Sequence, residues 1–443
     1  MMKIHKSIKA VIISCIVAVL VVFGTPAFSH NVEHRDHKQV LNQVQGDSSD
    51  TKLTVAYHNS AIDEINSAHS DLAPPNGKFL ISRNKAYAIR KNVVDLTQEE
   101  KQAFVDAVRA LKNTVPESSS ISIYDQFVAV HVEAMGLMSS DAQGPAAGHD
   151  GAHESSLLLP WHREFIHRFE KALQSVNPNL TLPYWDWTDP KALEVIFQDE
   201  FLGANGQGVT LSIPGLGDVQ GGPVASGPFS AANGWILNPN LHIKPSGETL
   251  GEVLLRFLQA PPVNTYPIPK EDLDQILAVD EYDTLRQGLE GFYKSDSQGQ
   301  LTIRGVFMHN YMHGLVGGGS FDFTTGQLNP LGTMASIISS PHDPVFWLIH
   351  SNLDRLWAEW QANGHAGPNY YPASGGHYGE NLNDRLWPWD GGESTPVNQG
   401  PADVLSLLPH LSPDDIVTPA DTLNFRKYGY TYDTLKRGNH IKS

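Results

Sequence analysis

Cysteine is almost missing from this chain of 443 residues: the only one is Cys15. It falls where Lys3, Lys6 and Lys9 precede an apolar run from Ala10 to Phe23, with the small-residue pattern Ala27-Phe28-Ser29 after it. That order of charge, apolar run and cleavage site is a secretory signal peptide. Removal of residues 1–29 leaves a secreted chain without a thiol, which excludes disulfides, iron–sulfur clusters, blue copper and cysteine-held zinc. Long apolar stretches are scarce as well. The signal run is shorter than the roughly 20 residues a spanning helix needs, and nothing later could span, so no membrane contact is expected after cleavage. Positive charge is the third scarcity, since 31 Lys and Arg face 48 Asp and Glu for a formal net charge of −17, and loss of the signal lysines carries it to −20. Such a surface repels phosphate backbones, so nucleic acid is not expected as a partner. The signal also lacks a twin-arginine pair, which implies export of an unfolded chain and metal loading outside the cytoplasm.

Residues 30–85 form a polar extension carrying His34, His37, His58 and His69, broken by Ser48-Ser49 and Ala73-Pro74-Pro75. Its composition predicts loose order. The first firm helix is expected to start at Thr97, whose spacing to Glu100 makes a capping box, and to run through Phe104, Val108 and Leu111. Two Gly- and Pro-rich stretches, Gly203 to Gly234 and Gly364 to Gly400, read as irregular excursions. The chain shows no repeat of solenoid length.

What is abundant is histidine on apolar helix faces. Tyr124, Phe127, Val128, His131, Ala134 and Met135 follow the i, i+3, i+4, i+7 rule and put His131 on a buried face. Pro160 is expected in a helical first turn, after which His162, Phe165, Ile166, Phe169 and Leu173 share one face. His167 is rotated roughly 140° from His162 and reads as a surface residue. Before this helix lie His149 and His153, in a stretch that Gly148 and Gly151 make loop-like; spacing alone does not choose between them. His309 and His313 stand one turn apart on one face, with Gly314 and Gly317-Gly318-Gly319 ending their helix. Asp343-Pro344 opens another helix, along which Phe346, Trp347, His350, Leu353, Asp354 and Trp357 form a stripe.

An imidazole on a core face must find a partner, because burying an unpaired polar group is costly. Two clusters of three imidazoles, about 150 residues apart in the chain, therefore point to two metal ions. With no sulfur and no carboxylate evident in either set, copper, zinc or nickel fits better than magnesium or calcium. Paired zinc sites usually borrow bridging carboxylates, which leaves copper in the lead. Asp354, a carboxylate one turn from His350, is expected either to orient a ligand ring or to pair with an arginine such as Arg163 or Arg355.

Taken in order, these segments resemble the tyrosinases, oxidases of phenols with a coupled pair of copper ions. The resemblance runs from Arg90-Lys91-Asn92-Val93 to the tyrosine-rich end at Tyr432. It includes Tyr124-Asp125 with Phe127-Val128 and His131, Leu159-Pro160-Trp161-His162-Arg163-Glu164-Phe165, and Pro183-Tyr184-Trp185-Asp186-Trp187. Further on come His309-Asn310-Tyr311-Met312-His313 and Asp343-Pro344-Val345-Phe346-Trp347-Leu348-Ile349-His350. The resemblance selects His153 over His149. It implies a mainly α domain over residues 86–434, with a four-helix bundle holding two copper ions, long irregular loops and few short strands, then a short tail at 435–443. His131, His153 and His162 would hold one copper and His309, His313 and His350 the other. Dioxygen would be used to hydroxylate monophenols and to oxidise o-diphenols to o-quinones. The alternatives within reach of the same site are a catechol or o-aminophenol oxidase without monophenol hydroxylation, and a haemocyanin-like oxygen carrier.

The resemblance also implies finer roles. Asn310 and Glu290 would hold the water that deprotonates a phenol, although an extra stretch separates Glu290 from His309. Gly314, Ile337 and Phe346 would shape the substrate pocket, a glycine at 314 leaving its mouth open. Ile349 stands where many relatives carry a second histidine, and a cysteine cross-linked to a ligand histidine, present in some relatives, has no counterpart here.

Overall fold

Thr97 caps the first long helix, α1 (Gln98–Asn113), as its spacing to Glu100 requires. Its side-chain oxygen accepts the Glu100 N–H at 3.2 Å, and the Glu100 carboxylate accepts the Thr97 N–H at 2.9 Å. The computed structural model describes residues 87–213, 217–291, 293–295, 301–304, 308–322, 327–396 and 415–435. The expected signal segment, the expected extension with its histidines and residues 436–443 lie outside the described residues.

Ser122 caps α2 (Ile123–Gly136), which is buried on every side, its polar Asp125, Gln126, His131 and Glu133 included. α3 (Leu158–Val176) begins two residues before Pro160, which keeps the proline in the first turn where its missing N–H breaks no helical bond. The short α4 (Ala192–Ile196) precedes a three-stranded antiparallel sheet of β2 (Val209–Ile213), β3 (Gly217–Pro223) and β4 (Leu255–Arg256). Part of the expected irregular stretch from Gly203 to Gly234 is thus a hairpin. Its alternation is hidden among glycines, yet Ile213 and Val219 bury one face against Phe257. There follow α5 (Lys270–Leu277) and α6 (Tyr282–Glu290), a hairpin of β5 (Tyr293–Ser295) and β6 (Leu301–Arg304), and α7 (His309–Gly317). After α7 come a third hairpin of β7 (Gly319–Asp322) and β8 (Gln327–Pro330), the 3-10 turn Ile337–His342, and α8 (Val345–Ala362). The described residues are rich in helix with few short strands, in line with the sequence.

α3 packs against α1 and α8, and α8 also meets α7. Their seam is aromatic: the Phe169 and Trp347 rings stack at 3.5 Å, and Tyr124 donates to the Pro341 carbonyl at 2.6 Å while accepting the Trp347 indole N–H at 3.1 Å. α8 starts beside Asp343, whose carboxylate accepts the Val345 N–H and is clamped by Arg256 through two bonds of 2.7 and 2.8 Å.

The last elements are α9 (Pro419–Thr422) and β9 (Tyr430–Tyr432), which pairs in parallel with β1 (Ala88–Arg90). This pairing delivers Arg90, Tyr430 and Tyr432 to Asp354 on α8. Arg90 donates to Asp354 at 3.1 Å and to Glu170 at 2.8 Å, and the Tyr430 and Tyr432 hydroxyls donate to Asp354 at 2.6 and 2.5 Å. Arg163 Nε completes the set. Burial alone would raise the Asp354 carboxyl, but Arg163, Arg90 and the two hydroxyls hold it below the usual aspartate value. A buried charge needs partners of this kind.

Candidate metal centre

Each expected ligand histidine is delivered by a different piece of this frame. α2 carries His131 and α3 carries His162, while the turns before α3 bring His153 beside them. α7 carries His309 and His313 one turn apart, and α8 carries His350. Within each trio one ring nitrogen per residue lies within 4.8 Å of the other two. The trios adjoin, since the His162 and His350 rings stack at 4.2 Å with 16° between their planes. His149 is elsewhere, its ring stacked on His377 at 3.4 Å.

Main-chain carbonyls and two side chains orient the rings. His131 Nδ1 lies 2.9 Å from the Ile338 carbonyl, His162 Nδ1 2.9 Å from that of Leu158, and His313 Nδ1 3.1 Å from that of Met334. A carbonyl oxygen only accepts, so each of these Nδ1 atoms carries the proton and leaves the Nε2 lone pair free. His309 Nδ1 meets Asn310 Oδ1 at 3.0 Å, and His153 Nδ1 meets Asp150 Oδ1 at 3.3 Å. The freed atoms lack protein partners: His131 Nε2 and His162 Nε2 are buried with none. The Nε2 atoms of His309, His313 and His350 lie 3.1–3.3 Å from one another. Three buried imidazole nitrogens turned toward one point repel unless a cation sits among them, so the donor set fits a metal ion in each trio.

Burial also keeps five of the six ligands neutral. It pushes His131 down to about 3, with His153 adding to the shift, and His313 to about 4. His162, His309 and His350 are also driven well below the usual histidine value, burial leading and neighbouring imidazoles assisting. For His153 burial acts downward, but the Asp150 carboxylate outweighs it and raises the ring. His153 and His313, 6% and 4% exposed, are the most accessible of the six rings, which marks the open side of the centre.

The other expected residues divide. Asn310 is half-buried and its side-chain oxygen is engaged by His309. Glu290 is buried at the end of α6, where it accepts the Glu154 N–H at 2.7 Å and an Arg286 N–H at 2.5 Å. No hydrogen bond joins Glu290 to Asn310. Of the pocket candidates, Gly314 is half-buried and Ile337 is 40% exposed, whereas Phe346 has no exposed surface. Phe346 stacks on His350 at 3.9 Å and meets His131 edge-on at 5.2 Å, so it packs among the ligand rings rather than at a rim.

Two expectations need correction. Asp354 orients no ligand ring: Arg163, Arg90 and two tyrosines surround its carboxylate, and His350 Nδ1 is left without a partner. His167 is half-buried rather than freely exposed, with the Tyr428 ring packed against it at 4.5 Å; burial first, then Arg90, pushes it down to about 3. Sequence reasoning missed Asp150, which accepts both the Ala152 and His153 N–H groups besides facing the His153 ring. An aspartate three residues before a loop histidine was the available signal.

A fold that converges two buried trios of imidazoles on adjacent points defines a protein with two neighbouring candidate metal sites. Comparison with known proteins identifies which kind. The sequence model described as the common central domain of tyrosinase matches residues 121–363. The chain is 34% identical to a tyrosinase of Streptomyces glaucescens over 74% of this chain and 98% of that one. It is 36% identical to a tyrosinase of Streptomyces antibioticus over 70% and 94%. Among solved structures, a polyphenol oxidase from Thermothelomyces thermophila shares the fold with a TM-score of 0.51 at 21% identity, covering 80% of this chain and 91% of that one. The chain belongs to the tyrosinase family, whose members are binuclear copper oxidoreductases, and its two trios fit two copper ions.

Proposed function

We propose that this protein is a secreted phenol oxidase that o-hydroxylates monophenols and oxidises o-diphenols to o-quinones with dioxygen. His131, His153 and His162 hold one copper and His309, His313 and His350 the other, in a four-helix bundle of α2, α3, α7 and α8 within a domain of residues 86–434. The observation that carries this reading is the pair of adjoining trios, with the Nε2 atoms of His131 and His162 buried without a partner and those of His309, His313 and His350 gathered within 3.3 Å of one another.

Copper bound there supplies matched one-electron steps suited to reducing dioxygen and oxidising a phenol. The protein's part is orientation and exclusion of water. The carbonyls of Ile338, Leu158 and Met334 and the side chains of Asp150 and Asn310 lock five rings in the Nδ1-protonated form. Second-layer partners of this kind raise ligand basicity and fix ring direction. Glu290 and Asn310 flank the open side as the pair that positions a water to receive the phenolic proton. Burial raises the Glu290 carboxyl above its ordinary value despite Arg286, which makes it a better proton acceptor than a free carboxylate. One observation favours a second reading, oxidation of diphenols alone: Asn310 is engaged by His309, and Glu290 by Arg286 and Glu154, with no bond between Asn310 and Glu290.

Metal analysis of the exported protein, with oxygen uptake measured on a monophenol and on catechol, tests the proposal. Two coppers per chain and quinone from both substrates are expected, and Asn310→Ala and Glu290→Gln should lower monophenol turnover about 100-fold, the scale of a lost proton-transfer group. Zinc, a single metal, or oxygen binding without quinone overturns the reading. Unchanged monophenol turnover in both variants removes the water-positioning pair.

A further inference from the structure

Gly314 follows a ligand histidine, and the space its missing side chain leaves is partly taken by another segment. A Cβ built at 314 would stand 3.3 Å from Val263 Cγ1 and 3.6 Å from Val263 Cγ2. Val263 lies in the loop between β4 and α5, and that loop is fastened to α7. Phe257 N–H donates to the Val316 carbonyl at 3.1 Å, Gln259 N–H to the Leu315 carbonyl at 2.7 Å, and Thr265 N–H to the Tyr311 hydroxyl at 2.7 Å. Inside the loop, Val263 N–H donates to the Ala260 carbonyl at 2.9 Å. The valine is therefore presented by anchored backbone, and a β-branched side chain is stiff at χ1.

This corner lies on the accessible side of the centre. Asn310 and Gly314, four residues apart, share a strip of α7 beside the ligand face, and both are half-buried where His309 is closed off. Val263 is itself half-buried and covers the Gly314 end of that strip.

We propose that Val263 determines substrate specificity at the mouth, supplying from a neighbouring loop the bulk that Gly314 lacks. It admits phenols and catechols that are bare or narrow opposite the hydroxyl and disfavours those with a branched substituent there. The inference rests on the reading of the centre as a phenol-oxidising copper pair. No residue of the proton path or of the ligand set is involved, so Val263 acts by shape alone.

The test is kcat/KM of the copper-loaded full chain for catechol and for 4-tert-butylcatechol, in wild type, Val263→Ala and Val263→Phe. One or a few methyl groups in an apolar pocket change discrimination by about tenfold. The ratio of bulky to bare substrate should rise about tenfold in the alanine variant and fall about tenfold in the phenylalanine variant, mainly through KM. Val263→Leu, a smaller enlargement, should fall between wild type and phenylalanine. A loop with a merely structural role would depress both substrates alike in every variant. A wild type that oxidises catechol, with a ratio unmoved or moved in one direction by variants retaining two coppers, overturns the assignment of Val263 alone. A wild type that oxidises neither catechol overturns the reading of the centre, and the assignment with it.

Discussion

Asp354 sits one turn beyond His350, and every hydrogen bond it receives comes from outside its own helix. Removing one charge from a buried ion network strands the others, at a cost of about 3–5 kcal/mol. Asp354→Asn should therefore lower the unfolding free energy by that order, measured by denaturant titration, while leaving all six imidazoles present. His167 makes a prediction about acid. Its folded value of about 3 lies below the ordinary 6.5, so between these limits the unfolded chain binds the extra proton and stability declines as pH falls. His167→Gln removes that term, and the difference in melting temperature between variant and wild type should shift in the variant's favour from pH 6.5 downward. A difference independent of pH would show that the ring titrates normally in the folded protein.

At the scale of elements, local chemistry decides where helices start. Thr97→Ala deletes the acceptor for the Glu100 N–H and should cost about 1 kcal/mol, read as a lower denaturation midpoint with copper content intact. Elements of this kind were legible in the sequence because an apolar period of 3.6 residues is local information: His131, His162 and His350 declare their inward direction through Phe127, Phe165 and Phe346. His153 sits in a turn without a period, and only resemblance separated it from His149. The β2–β3 hairpin escaped notice because Gly217, Gly221 and Gly222 dilute its alternation. The Asp354 cluster was legible only as a pairing with one arginine. Arg90 and Tyr432 reach the same carboxylate from 264 and 78 positions away, and nothing in the local pattern marks such partners.

For the domain as a whole, the parallel pairing of β1 with β9 is the closing contact. It joins Ala88–Arg90 to Tyr430–Tyr432, so the two outermost described strands enclose everything that carries a ligand. A chain ending at Gly429 keeps the six histidines but loses two hydroxyls donated to a buried carboxylate. With about 1.5–3 kcal/mol for each hydrogen bond to a charged group, it should be less stable by roughly 3–6 kcal/mol in chemical denaturation. The same closure has a consequence in time. While a ribosome is still making the protein, all six candidate ligand imidazoles have been synthesised before the tyrosines that lock α8 in place, so a nascent chain holds the ligands without the clamp. Stable occupancy by metal then waits until Tyr430 and Tyr432 have been made and have docked on α8.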